Sequence, residues 1–373
     1  MAHELGDQSV ATPEPSTGVA AAPDPAAVPG DMTVLEPSGA DPAPGGNQPT
    51  YLAEPAEIAA EPADDDVASD GDSALGSIQD DVFSTASVTE SILEYRRLHG
   101  RTFQNFGDAE YWAPNDEKQN EGLDIAHHML FLAHDNRLFL APLDKPQRVL
   151  DVGTGTGIWA TDFADEFPGA EVIGTDLSPI QPTWVPPNCR FELDDASKDW
   201  TYPDDSFDYI HLRCLMGCFK DWVHVYRECF RCLKPGGWIE HLDFSVHIQA
   251  DDGSIPKDAI WTEWTQLLVE AGEKTGQTFE VVDRDLFVGW MNEAGFPDVK
   301  VFKNKIPLGP WPADKKYKEV GFFNRLSSES GLEGYMLYVL AHVHGWEIER
   351  VQLWLASVRK AFARKDWHAY YPW

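Results

Sequence analysis

The sequence predicts an α/β fold: a doubly wound, mostly parallel sheet with helices on both faces. Three observations carry this reading. Short apolar runs, RVLDVG, AEVIGTD, CRFEL, FDYIHLRC and GWIEHLDFSVHI, recur between residues 148 and 248. Helical stretches, GIWATDFADEF and DWVHVYRECFRCL, separate some of them, and strands joined through helices of that length make right-handed crossovers in a covered sheet. Finally, GTGTG, residues 153–157, follows the first run directly. In such sheets that turn lies at the carboxyl ends of the strands, where ligands bind.

In chain order, residues 1–85 are rich in Ala, Pro, Asp and Glu, with Tyr51 and Phe83 as their only aromatics. Such a segment cannot bury enough apolar surface to offset the entropy of ordering it, and a disordered acidic tail is expected. Residues 86–145 read as a helical cap. Ser87 and Glu90 form a capping box ahead of ILEYRRLH, which Gly100 stops. Asn115 or Asp116 caps a longer helix through EKQNEGLDIAHHMLFLAHDNRLFL, which Pro142 ends. Residues 146–310 hold the sheet, helices over 256–275 and 283–294, and a further strand in DVKVFKNKI, residues 298–306. Residues 311–373 form a helical insertion, mainly over 316–365, and a C-terminal segment.

Charge narrows the function classes. The formal net charge is -33, and residues 1–95, with nineteen Asp or Glu and no Lys or Arg, supply 19 of those negative charges. No basic face for a nucleic-acid backbone is visible, so no direct nucleic-acid partner is expected. DKKYK, residues 314–318, reads as a solvated charge run. No apolar run approaches the ~20 residues of a membrane span, and no charged segment followed by an apolar core marks the N-terminus. A soluble protein of the cytoplasm, the nucleus or both is expected. The five cysteines, Cys189, Cys214, Cys218, Cys229 and Cys232, offer two pairs that zinc could use. Their spacing matches no zinc motif, Cys229 falls on the apolar stripe of DWVHVYRECFRCL, and an odd count argues against a disulfide framework. No metal is expected.

The glycine turn carries the ligand reading. Its spacing is G-x-G-x-G, and Ile158 stands where a dinucleotide fingerprint needs its third glycine, which disfavours NAD. Asp151, two residues before the first glycine, suits a cationic or amine-bearing ligand better than a phosphate. Asp176 ends the second strand, where an acid accepts hydrogen bonds from ribose hydroxyls. A ligand with a ribose and positive charge but no required pyrophosphate fits S-adenosyl-L-methionine.

The segments VLDVGTGTG, VIGTDLSPIQPTWVPPN, FELDDA, DDSFDYIHLR and LKPGGWIE, in that order, resemble the motif series of Rossmann-like class I methyltransferases. With YRRLHGRTFQNF, YWAPNDE and LDIAHHM upstream, residues 88–373 resemble the fungal LaeA-like methyltransferases more narrowly. The resemblance implies that Asp151 fixes the methionine amino group, directly or through the turn. It implies that Gly153, Gly155 and Gly157 line the methionine and ribose side, that Asp176 binds the ribose, and that Asp195 with Ala196 meets the adenine amino group. Arg213 would pair with the carboxylate. Tyr111 and Trp112 would cap the cofactor or simply pack. His211 and His241, near strand ends, are candidate bases or structural histidines, and no catalytic residue is assigned. The implied function is methyl transfer to a small, secondary-metabolite-like molecule. The alternative is a LaeA-like regulator of secondary metabolism or development acting through protein partners. The acceptor half is expected from the upstream helices around Tyr111 and from Trp311–Trp346, with Phe322 and Phe323 lining it. The resemblance also implies that the closing antiparallel strand lies beyond AYYPW, leaving DVKVFKNKI with an unpaired edge.

Overall fold

A computed structural model describes residues 50–53, 58–60, 94–107 and 111–373. The segment read as a tail is ordered at two points. Strand β1 (Thr50–Ala53) pairs in parallel with Lys300–Phe302, and Ala60 bridges Pro312. The remainder of 1–85, and the Ser87–Glu90 capping box, lie outside the described residues. The helix expected over ILEYRRLH is replaced by a hairpin, β2 (Arg96–Leu98) against β3 (Arg101–Phe103). His99 and Gly100 both adopt positive φ, 48° and 85°, the two-residue turn that suits the twist of a hairpin. Helical spacing was outweighed there by turn chemistry.

Helix α1 (Glu117–Ala133) is capped by the Asp116 carboxylate, which accepts from the Gln119 amide and also from buried Arg101 of the hairpin at 2.8 Å. It ends seven residues before the expected limit, because Asp135 and Asn136 turn the chain with φ of 58° each.

The sheet follows. Strands β4 (Arg148–Val152), β5 (Glu171–Asp176), β6 (Cys189–Leu193), β7 (Phe207–Arg213) and β8 (Leu233–Leu242) run parallel in the order β6-β5-β4-β7-β8. The strand order reverses between β4 and β7, which opens a crevice at their carboxyl ends. Alternation sorts the side chains. Val149 and Tyr209 face helix α2 (Ile158–Glu166) with its Trp159 and Phe163, whereas Leu150, Val152, Ile210 and Leu212 face helix α3 (Trp222–Cys232) with its Val225, Tyr226 and Cys229. Each large side chain so buried contributes about 1.5–3 kcal/mol. All five cysteines are free thiols, and burial raises their pKa values, Cys189 to about 11 and Cys214 to about 12. No group of acids, His and Cys among the described residues is arranged to hold a metal.

Helices α4 (Ile260–Thr275) and α5 (Leu286–Ala294) lead to β9 (Lys300–Phe302) and β10 (Lys305–Pro307), so DVKVFKNKI makes two short strands. Each gains a partner on one side, where an unpaired edge was expected: β9 pairs with β1 and β10 with the chain's last strand. Strand β11 (Tyr370–Pro372) pairs antiparallel with β10, and on its other side Ser245 and Gln249, after β8, hydrogen-bond to Pro372 and Tyr370. AYYPW is itself the antiparallel closing element. The expected insertion comprises α6 (Lys315–Leu337), a π-helical turn over Tyr338–Val343 and α7 (Ile348–Phe362). Helix α6 lies along α1, where Gly122 faces Gly331, Gly334 faces Gln119, and the Ser327 hydroxyl donates to the Gly122 carbonyl. These small residues let the two backbones approach closely. Among the described residues no helix is long and apolar enough to cross a membrane.

Candidate functional site

A cavity of about 490 Å³ opens at the carboxyl ends of β4, β5 and β7. Its floor is the glycine turn. Gly153, Gly155 and Gly157 all take positive φ, 68°, 59° and 79°, which explains the residue type at each. Gly153 lines the cavity; Gly155 and Gly157 do not. A Cβ on Gly157 would stand 2.3 Å from the Phe191 ring, so that glycine admits a neighbouring side chain at the start of α2.

Asp151 lines the cavity with only 3% of its surface exposed. One carboxylate oxygen accepts from the Thr154 hydroxyl at 2.6 Å and the other from His211 Nδ1 at 2.7 Å. Asp151 and His211 are register partners on adjacent strands, and His211 stacks flat on Trp159 at 3.7 Å. Burial depresses the pKa of His211 although Asp151 opposes that shift. His211 therefore belongs to the support of the turn and is no cavity base. His241 is also withdrawn, bonded to Tyr226 Oη at 2.6 Å and set beside Asp243.

Asp176, at the end of β5, accepts from the amides of Gly155 at 2.8 Å and Ser178 at 2.9 Å. Burial pushes its carboxyl up to about 6, although those amides favour the charged form. Asp195 and Ala196 line the same wall beyond β6, beside Asp194, whose carboxyl burial also raises. Arg213, at the end of β7, lines the opposite wall. The polar lining thus runs from accepting acids at one end to a donating guanidinium at the other, which fits a ligand with hydroxyls and an amine at the first and a carboxylate at the second.

The roof is helix α1. Leu123, Ala126, His127 and Leu130 line the cavity at the i, i+3, i+4, i+7 spacing of one helical face. Three hydrogen bonds tie α1 and the residue ahead of its cap to the floor and to α2: Thr156 Oγ1 to Asp124 at 2.6 Å, Asn115 Nδ2 to Ser178 Oγ at 3.2 Å, and His127 Nε2 to Asp162 at 2.9 Å. That stripe stands in LDIAHHML and was readable as a helix face; which way it turned was not. Tyr111 joins the lining, its phenol pushed well up by burial, while Trp112 packs edge-on to Phe279 and donates to the Met216 carbonyl. The loop after β7 adds Cys214, Leu215, Cys218 and Phe219, and Gln277 closes the far side. Sequence reasoning missed Gln277, which no local motif marks.

Nothing from Trp311–Trp346 lines this cavity. Phe322 is 51% exposed and Phe323 packs edge-on to His128, so the expectation that this pair lines the acceptor half is corrected. The helix that bears them turns its small-residue face to α1 and reaches the cavity only through it.

Comparisons with known proteins agree with this architecture. A methyltransferase-domain family model matches residues 125–301. Methyltransferase pytC of Aspergillus terreus is 39% identical over 289 residues, covering 77% of this chain and 88% of that protein. Secondary metabolism regulator LAE1 of Cochliobolus heterostrophus is 35% identical over 281 residues, covering 73% and 90%. Protein-methionine methyltransferase laeA of Emericella nidulans is 33% identical over 279 residues, covering 74% of each.

Proposed function

Because the chain belongs to the LaeA-like family of class I S-adenosylmethionine-dependent methyltransferases, we propose that its cavity holds the cofactor along the ends of β5, β4 and β7 and admits a small organic acceptor beneath α1. It is an S-adenosylmethionine-dependent methyltransferase. The cofactor supplies an electrophilic methyl group: an acceptor lone pair forms the new bond as the carbon–sulfur pair returns to sulfur. The chain's residues bind, orient and exclude water, and orientation alone is worth ~7–11 kcal/mol.

The roles follow from position. Asp176 accepts from the ribose hydroxyls, its remaining lone pairs being directed by the two amides it already binds. Asp195 and Ala196 meet the adenine edge, and Arg213 meets the carboxylate. Asp151, which supports the turn through Thr154 and His211 and keeps a lone pair on each oxygen, meets the methionine amino group directly or through that turn. Gly153 lets the backbone approach the ligand, whereas Gly155 and Gly157 shape the turn.

One observation carries the small-molecule reading: the cavity is roofed by an α1 face whose Leu123, Ala126 and Leu130 are apolar, and small-molecule sites are mostly apolar concavities with a few placed polar groups. The imidazole on that face, His127, has both nitrogens engaged, which favours an acceptor that reacts without losing a proton to a histidine. A second reading is a regulator working through protein partners in the cytoplasm or nucleus; the name of the relative LAE1, a secondary metabolism regulator, favours it. Methyl-labelled cofactor, incubated with the full chain and cell extract, separates the two. Label in the small-molecule fraction is expected; label chiefly on protein bands transfers the conclusion to the regulatory reading.

A further inference from the structure

Arg213 projects into the cavity from the end of β7, and its hydrogen-bond partner among the described residues is an imidazole. Both terminal nitrogens, Nη1 and Nη2, lie 3.3 Å from His127 Nδ1. A guanidinium only donates, so Nδ1 must accept. The ring proton then sits on Nε2, which donates to the Asp162 carboxylate at 2.9 Å. His127 is 5% exposed, whereas the Asp162 side chain is 48% exposed. The chain of contacts joins α2, α1 and β7, three elements that border one end of the cavity. No carboxylate of the described residues pairs with Arg213, so a cation at the cavity wall is held in place without being neutralised.

We infer that Asp162 and His127 act as positioning residues that hold Arg213 as the receptor for the cofactor's carboxylate. The inference rests on the assignment of Arg213 made above. Asp162 fixes the tautomer of His127, as carboxylates do for other histidines whose second nitrogen has a task. Nδ1 then holds one edge of the guanidinium and leaves the other for a planar, two-point contact with a carboxylate. An arginine neutralised by a protein carboxylate would lose that capacity; an arginine held by an imidazole keeps its charge.

The test compares two ligands that share adenosine and a thioether sulfur but differ in the amino-acid end. S-adenosylhomocysteine carries the carboxylate, and 5′-methylthioadenosine lacks it. Equilibrium binding to the full chain should show His127→Phe weakening S-adenosylhomocysteine about tenfold and 5′-methylthioadenosine less than twofold, by the usual strength of a charge-assisted contact. His127→Asn, which restores an acceptor near Nδ1, should recover most of the loss. Asp162→Asn, at a half-exposed position that tolerates change, should cost about threefold for S-adenosylhomocysteine alone, and it carries the test if His127→Phe fails to fold. Equal weakening of both ligands by His127→Phe, or by Asp162→Asn in that case, would make the pair merely structural and overturn the inference. Arg213→Gln separates the two levels. If it weakens S-adenosylhomocysteine and the His127 and Asp162 variants do not, the positioning role falls and the site assignment stands; if Arg213→Gln has no effect, both fall.

Discussion

Floor and roof of the cavity draw on the sequence in different ways. The floor takes Asp151, Gly153, Thr154, Thr175 and Asp176 from two neighbouring strands and one turn, whereas the roof takes four residues from one face of α1 and adds Tyr111, Phe219 and Gln277 from three distant places. The floor's geometry is a backbone property: positive φ at the turn, an acid at a strand end, amides aimed at that acid. The roof's geometry is a packing property, set by how α1 is rotated against α6 and pinned to the floor. Contacts written in the backbone are local in sequence; contacts made by packing are not.

The largest test falls on the floor. Asp176→Ala should weaken S-adenosylmethionine binding by about 1–3 kcal/mol, about 5- to 150-fold, because hydrogen bonds to a charged group are lost. Calorimetry reads this directly, and unchanged affinity in a folded variant would remove the ribose role. Next, Gly157→Ala should cost about 2 kcal/mol of stability, lowering Tm by about 4–8 °C, since a Cβ there meets both a left-handed backbone and the Phe191 ring. Cofactor affinity of the folded variant should stay within twofold. A selective loss of affinity would put Gly157 in the ligand contact after all.

A pH series sharpens the floor further. Asp176 ionises at about 6 in the folded protein, against ~3.9 in an unfolded chain. Between those values the folded state holds the extra proton, so this group's contribution to stability falls as pH rises from about 4 to about 6 and is constant outside that window. Ribose hydroxyls donate to the ionised form. Affinity should therefore be full above pH 6 and decline about tenfold per unit below it, and Asp176→Ala should flatten the profile. The smallest effect belongs to the roof: Tyr111→Phe should lower kcat/KM for the acceptor about threefold while leaving cofactor affinity within twofold. If cofactor affinity drops in step, floor and roof are not separable.

The same division explains what could be read in advance. The parallel strands and the glycine turn follow from short apolar runs separated by helices and from φ values that only glycine tolerates well. Yet the three glycines share a cause and not a role, because which one meets the cavity depends on Phe191 and Leu215, far off in sequence. ILEYRRLH has helical spacing, but His99-Gly100 folds it into a hairpin. The end of α1 was set by Asp135 and Asn136 and not by Pro142, since two short polar side chains tolerate the left-handed region that breaks a helix. Closure of the sheet by Tyr370–Pro372 was missed because a three-residue strand ending in Pro carries almost no propensity signal and gains its place from partners on both sides.

The three ties from α1 and the residue ahead of its cap also set a clock. At ~1 kcal/mol each they contribute about 3 kcal/mol to holding the roof in place. The opposite side of α1 is locked to α6 through Gly122, Ser327 and Gly331, and α6 is fixed in turn to β10 through Asn324 and Gly321, so the polar seam is the part of the roof's attachment that faces the cavity. Removing Asp124–Thr156, Asn115–Ser178 or His127–Asp162, hydrogen bonds that never touch the methyl group, should therefore shorten the residence time of a bound spent cofactor, which stopped-flow dissociation reads.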